Sequence, residues 1–150
     1  MSDNLPEVLA ALKAWQKRMD KAGMEATRLI THAVLSKAQE ITHATVNKPT
    51  QRNGKLRYNP HIGSRSGEGP NYVTGNLYRG IIAQPIRRQG FESYVATVGS
   101  SVVYARTVEE GASNWNGVKY PYMVPARDYV VNSGMARRYI ISEVQKAMGG

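Results

Sequence analysis

The sequence predicts an α+β domain: a long N-terminal helix, a small antiparallel β-hairpin packed with short helices, and a C-terminal helix. Three observations carry this expectation. Apolar residues recur at steps of three and four from Leu5 to about Val46, and again from Tyr139 to Met148, which is helical spacing. Two short runs with alternating side chains meet at Gln89-Gly90, which is hairpin spacing. Gly, Pro and Asn cluster between these segments. A chain of 150 residues is one domain's worth of polypeptide and should build a single core.

In the first segment Val8, Leu12, Trp15, Met19, Ala22, Ala26, Leu29 and Ala33 form one apolar seam. Asn4 is the candidate N-cap, with Pro6 in the first turn and Glu7 three residues after the cap, and Asn47-Lys48-Pro49 is the stop. Unbroken, such a helix spans about 63 Å, more than this chain needs for its own core. Gly23 leaves a second arrangement open, two helices folded back at Lys21–Gly23. The narrow, Ala-rich seam points to packing against a neighbouring subunit, with Trp15 and Met19 as contact candidates.

Residues 49–73 are rich in Gly and Pro and lack periodicity, so they read as an extended basic loop exposing Arg52, Lys55, Arg57 and Arg65. Thr74 opens a short helical turn, followed by the hairpin runs Ile81–Arg88 and Phe91–Val98. Ser93, Val95 and Thr97 face one way, and Tyr94, Ala96 and Val98 the other. Pro85 has no N–H to donate, so its strand is an edge or carries a bulge. Ser100-Ser101 can cap a short helix through Val102, Tyr104, Ala105 and Val108, ended by Gly111. After a turn-rich stretch, Tyr120-Pro-Tyr-Met-Val-Pro leads into the last helix, with Pro125 near its first turn and a kink or break at Ser133-Gly134. Its apolar face is Tyr139, Ile140, Val144, Ala147 and Met148. The organisation is therefore a long helix (1–48), a basic loop (49–73) and a compact core (74–150).

Composition excludes several functions. The chain has no Cys, which removes disulfides, a cysteine nucleophile, Fe–S clusters and thiolate zinc sites. No signal peptide is visible at the N-terminus, and no run approaches the ~20 apolar residues of a bilayer-spanning helix, so a soluble protein is expected. Twenty Lys and Arg against 11 Asp and Glu give a formal charge of +9. That charge is spread: +2 over 1–48, +3 over 49–74, +1 over 75–110 and +3 over 111–150. A nucleic acid or an acidic partner must be considered, but no run of bases marks a dedicated tail.

Catalytic constellations are not evident. His32, His43 and His61 belong to no metal-binding motif; the first two share a helix face but lie about 16 Å apart along it. Glu109-Glu110 is the one tight carboxylate pair, and adjacent helical side chains diverge, so an ion pair with a neighbour's Arg is favoured over acid–base catalysis. Gly63-Ser-Arg-Ser-Gly-Glu-Gly lacks the strand and the Gly-Lys-Ser/Thr of a phosphate loop. Tyr58 and His61 among the bases of 52–65 allow stacking on nucleic-acid bases, without a recognition motif.

The second half is more informative as an ordered string: Thr74-Gly75-Asn76-Leu77, a hairpin closing on Val98-Gly99, then Tyr104-Ala105-Arg-Thr-Val108-Glu109-Glu-Gly111, then Pro121-Tyr-Met-Val-Pro125-Ala126. In this order it resembles the small neck proteins of tailed bacteriophages, called head–tail joining, tail-completion or minor tail proteins. The resemblance covers residues 74–127, and 128–148 by pattern only. It departs from that family at Glu110, at Tyr122 in place of Phe, and in the long N-terminal helix and basic loop.

The resemblance implies a structural virion protein with no enzymatic activity, cofactor or metal, forming a homo-oligomeric ring at the portal–tail junction. Sixfold symmetry is the first expectation and twelvefold the next. The implied partners are other neck proteins on the portal or adaptor side and on the tail-tube side, with non-specific contact to packaged DNA and no membrane. The implied location is the neck or tail of the virion, and the host cytoplasm during assembly. Arg52, Lys55, Arg57 and Arg65 are expected to meet protein rather than DNA, because smooth DNA passage disfavours a tightly binding lumen. The alternative is a sequence-independent nucleic-acid-binding protein.

Overall fold

The computed structural model describes residues 4–44, 50–57, 75–90, 93–111 and 118–149. It is an α+β arrangement built on one helix, α1 (Leu5–Ala44), 40 residues long and continuous through Gly23. Its first hydrogen bond runs from the Val8 N–H to the Asn4 carbonyl, so the chain enters the helix where the Asn-x-Pro signal places the start. Gly23 is a packing glycine and not a breaker. A Cβ there would run into the ring of Tyr94, and the fold-back alternative gives way to a continuous helix that a neighbouring side chain approaches closely.

Thr50–Arg52 (β1) and Lys55–Arg57 (β2) pair antiparallel around Asn53-Gly54, both with positive φ (54° and 69°). This corrects the expectation of an extended loop at its start. Asn-Gly is the dipeptide that tolerates the double left-handed turn of a tight hairpin, and it outweighs the lack of apolar alternation. Arg65 and Thr74 lie outside the described residues, as do His61 and most of the stretch before Tyr120 that the sequence reads as turn-rich.

Gly75, at φ 74°, precedes α2 (Asn76–Gly80), which runs directly into β3 (Ile81–Ala83). β4 (Arg87–Arg88), β5 (Tyr94–Val95) and β6 (Val98–Ser100) complete an interrupted hairpin: β3 pairs with β6 and β4 with β5, both antiparallel. Ala83 lies opposite Val98 and Arg87 opposite Val95, so the first strand holds one extra residue between the two pairings. That bulge contains Pro85, while the Gln84 N–H still reaches the Thr97 carbonyl at 2.8 Å. Tyr94, Ala96 and Val98 are half-buried and Val95 and Thr97 exposed, the alternation the sequence predicts.

The helix expected from Ser101 starts later. Val102–Tyr104 form a turn whose Val102 N–H is held by the Ser100 hydroxyl, and α3 covers Ala105–Glu110. The last helix is two, α4 (Met123–Asn132) and α5 (Met135–Met148), separated at Ser133-Gly134 where Gly134 has φ 72°. The apolar face expected for α5 holds in part, with Tyr139, Val144 and Ala147 half-buried. Ile140 and Met148 are exposed, and the buried residue is Glu143, its carboxylate accepting from the Lys146 ammonium at 2.6 Å.

The core lies where the second half of α1 meets β3 and α4. Ala38, Ile81, Tyr122 and Ala126 are its centre, with Val34, Leu35, Leu77, Val98 and Val108 packed around them. α5 lies along the middle of α1, against the Ala22–Ala33 part of the seam. No described helix is long and apolar enough to cross a membrane.

Candidate functional site

Two features stand out when the chemistry-bearing residues are followed into the fold: a carboxylate that joins α3 to α4, and an apolar surface along the start of α1.

Glu109 is the penultimate residue of α3, at the end where a negative charge gains nothing from its own helix. Its side chain instead reaches the start of α4. Oε2 accepts from the Tyr122 N–H at 2.7 Å and the Met123 N–H at 3.0 Å, and Oε1 accepts from the Val124 N–H at 3.0 Å. These are amides that a helix N-terminus leaves without intrahelical partners, and Tyr122 offers no side-chain cap of its own. Glu109 therefore does the work of an N-cap from 13 residues upstream in sequence. Glu110 pairs with Arg106 of the same helix at 2.8 Å, in place of the ion pair with a neighbour's Arg that the sequence suggests.

Part of the set quoted for the family resemblance, from Ala105 to Gly111 and from Pro121 to Ala126, gathers around this joint. Ala105 is buried in α3, Val108 packs on the core, and Ala126 is fully buried in α4 next to Pro125, which lies in the first turn of that helix. Gly111 ends α3 at φ 85° and ψ 168°, and a Cβ there would sit 2.8 Å from the Val118 carbonyl oxygen. The chain then returns so that the Tyr120 N–H reaches the Val108 carbonyl at 2.8 Å, which delivers Pro121 and Tyr122 to Glu109. Burial pushes the Tyr122 hydroxyl up from 10.0 to about 12, with the Glu109 carboxylate adding and a Ser100 hydroxyl opposing. Leu77 packs on the core and Asn76 accepts from Arg79, whereas Gly99 has open space around it and Tyr104 is exposed before α3.

The surface feature begins at the opposite end. Leu5, Val8, Leu9, Leu12 and Trp15 are each between 45% and 69% exposed, so the first four turns of α1 stand outside the packed body as an arm. Trp15 and Met19 then lead into a groove of about 490 Å³ lined by Ala22, Gly23 and Ala26 of α1, Tyr94 of β5, and Ile140 and Val144 of α5. The Tyr94 hydroxyl donates to Asp20 Oδ1 at 2.7 Å and Arg88 holds Oδ2 at 3.0 Å, which ties the β4–β5 hairpin to α1 at the groove's edge.

Arg52, Lys55 and Arg57 fall on the β1–β2 hairpin, with Arg52 directly opposite Lys55. His43 lies beside the Tyr78 ring, 5.7 Å between centroids, and exposed His32 is 3.4 Å from the Ser36 hydroxyl. No group of three metal-ligating side chains occurs among the described residues. Sequence reasoning found Glu109 as a residue but missed its role, because the amides it holds come from another helix. The Asn53-Gly54 dipeptide is the sequence signal that could have found the first hairpin.

The chain matches no protein-family model, no curated protein and no solved structure.

Proposed function

We propose that the chain is a structural assembly protein of a tailed bacteriophage, forming a ring in the neck between head and tail. The observation that carries this reading is the arm of α1. A helix of 40 residues is used over only part of its length by its own core, and its remaining apolar surface is of the kind that other chains cover. The order of the elements around Glu109, with the resemblance they carry, supplies the assignment to the neck. The protein acts by binding neighbours, without catalysis.

Light scattering on purified protein at about 0.15 M salt, with and without a short DNA duplex, tests it when followed by negative-stain imaging. The expected species contains six or twelve copies, images as a ring and ignores the duplex. A chain that forms no ring and moves onto the duplex at that salt overturns the reading in favour of nucleic-acid binding, which a net charge of +9 supports electrostatically. Replacing Arg52, Lys55, Arg57 and Arg65 together with Ser is expected to impair joining of heads to tails, and unchanged joining removes these bases from the interface.

A further inference from the structure

We propose that a second copy of this chain covers the arm of α1, the two α1 helices pairing antiparallel about a two-fold axis. The seam of α1 is one heptad pattern in which Leu5, Val8, Leu12, Trp15, Met19 and Ala22 follow at alternating steps of three and four. From Ala22 onward the molecule covers this seam with its own α5. Before Met19 the same seam is open, with Leu5 69%, Leu12 56% and Trp15 45% exposed. The covered part is a helix-on-helix contact, so the open part continues an interface whose partner is a helix.

Sterics decide the direction. Packed helices lie about 8–10 Å apart, and a parallel copy in register would bring a second α5 into the space beside Ala22 that the first already fills. An antiparallel copy places the two bodies at opposite ends. It stacks Val8 over Met19 of the second copy and Leu12 over Trp15, and leaves Leu5 at the mouth of the groove beside Ala22, which α5 already covers. Charge agrees with that register. Glu7, which makes no ion pair among the described residues, falls on the same flank as Lys21 of the second copy. Complete covering of the arm's five exposed apolar side chains would bury at most about 500 Å² per copy and about 1,000 Å² for the pair, the size at which specific interfaces begin.

The pairing and the neck assignment draw on the same arm of α1 and fail separately, because a ring must close through other surfaces than this one. A two-fold contact closes on itself, so alone it makes a dimer, and within a ring protein it joins two rings and does not close one.

Sedimentation equilibrium over a dilution series tests it, with helix content followed by circular dichroism. The wild-type chain is expected as a dimer at low concentration or as an even-numbered larger species. Leu12→Glu, on an exposed position that leaves the fold intact, is expected to weaken association about 10- to 100-fold and halve the mass. Glu7→Lys should weaken it and Glu7→Lys with Lys21→Glu should restore it. Because the chain has no Cys, geometry can be read by cross-linking: Val8→Cys with Met19→Cys in one chain should link two copies under oxidation, and Val8→Cys alone should not. A monomeric wild type, an association that Leu12→Glu leaves unchanged, or self-linking of the Val8→Cys chain overturns the proposal. Loss of rings with dimers retained would overturn the neck assignment alone.

Discussion

Replacing Glu109 should unfasten α4 from α3, and the size of the effect can be worked from its three contacts. The Tyr122 and Met123 amides are partly buried, whereas the Val124 amide is exposed. In Glu109→Ala, water can reach the Val124 N–H, so little is lost there. The two buried amides are left short of an acceptor, at about 1–3 kcal/mol each, while partial hydration of the vacated space returns some of that. The favourable charge at the start of α4 contributes about 0.3–1 kcal/mol more. A loss of about 2–4 kcal/mol is therefore expected, which for a chain of this size lowers Tm by roughly 5–15 °C. Glu109→Gln keeps one acceptor oxygen but loses the charge and turns an NH₂ toward N–H donors, so it should lose about half as much. The assay is thermal and urea unfolding followed by far-UV circular dichroism, with Glu110→Ala as the control because its exposed pair with Arg106 touches neither α4 nor the core. If Glu109→Ala unfolds within about 0.5 kcal/mol of wild type, like a surface substitution, the capping argument is refuted.

Three further outcomes follow from the same geometry. Gly23→Ala improves helix propensity by about 1 kcal/mol yet forces its methyl into the Tyr94 ring, so a Tm drop of several degrees and a weaker Tyr94–Asp20 contact are expected; a rise in Tm would mean the ring swings aside freely. Gly111→Ala places a side chain at φ 85°, ψ 168° and 2.8 Å from the Val118 carbonyl oxygen, and should cost about 1–3 kcal/mol or more by urea unfolding, whereas Gly99→Ala, in open space, should be close to neutral. Tyr122 has a folded-state pKa raised from 10.0 to about 12, so its contribution is fully present below pH 10 and is lost as pH rises through about 12. Urea midpoints across that range should fall more steeply for wild type than for Tyr122→Phe, and parallel curves would contradict the assignment.

Much of the fold was legible because it depends on local repetition. A seam at steps of three and four identifies a helix wherever its partner lies, alternation from Tyr94 to Val98 sorts the hairpin's side chains onto two faces, and a proline without an N–H marks an edge or a bulge, which the pairing places between Ala83 and Arg87. Sequence alone misjudged places where local cues conflict. Asn53-Gly54 makes a hairpin within a stretch whose composition reads as loop, and Gly23 offers flexibility that the surrounding helix does not use.

The candidate sites were less legible, for a different reason. The sequence by itself determined the α+β class, the helical start of α1 and its apolar seam, and it marked Ser133-Gly134 as a kink or a break, since each follows from the intrinsic preferences of neighbouring residues; that α1 runs unbroken through Gly23 was decided by the structure. Only the tertiary structure decided that Glu109 holds the amides of a helix 13 to 15 residues away, that Gly23 is needed by a ring 71 residues on, and that α5 covers the seam from Ala22 while leaving Leu5 to Trp15 open. Those outcomes depend on which surfaces meet. The same carboxylate, glycine or leucine is compatible with several roles until a distant segment supplies the amide, the ring or the empty face.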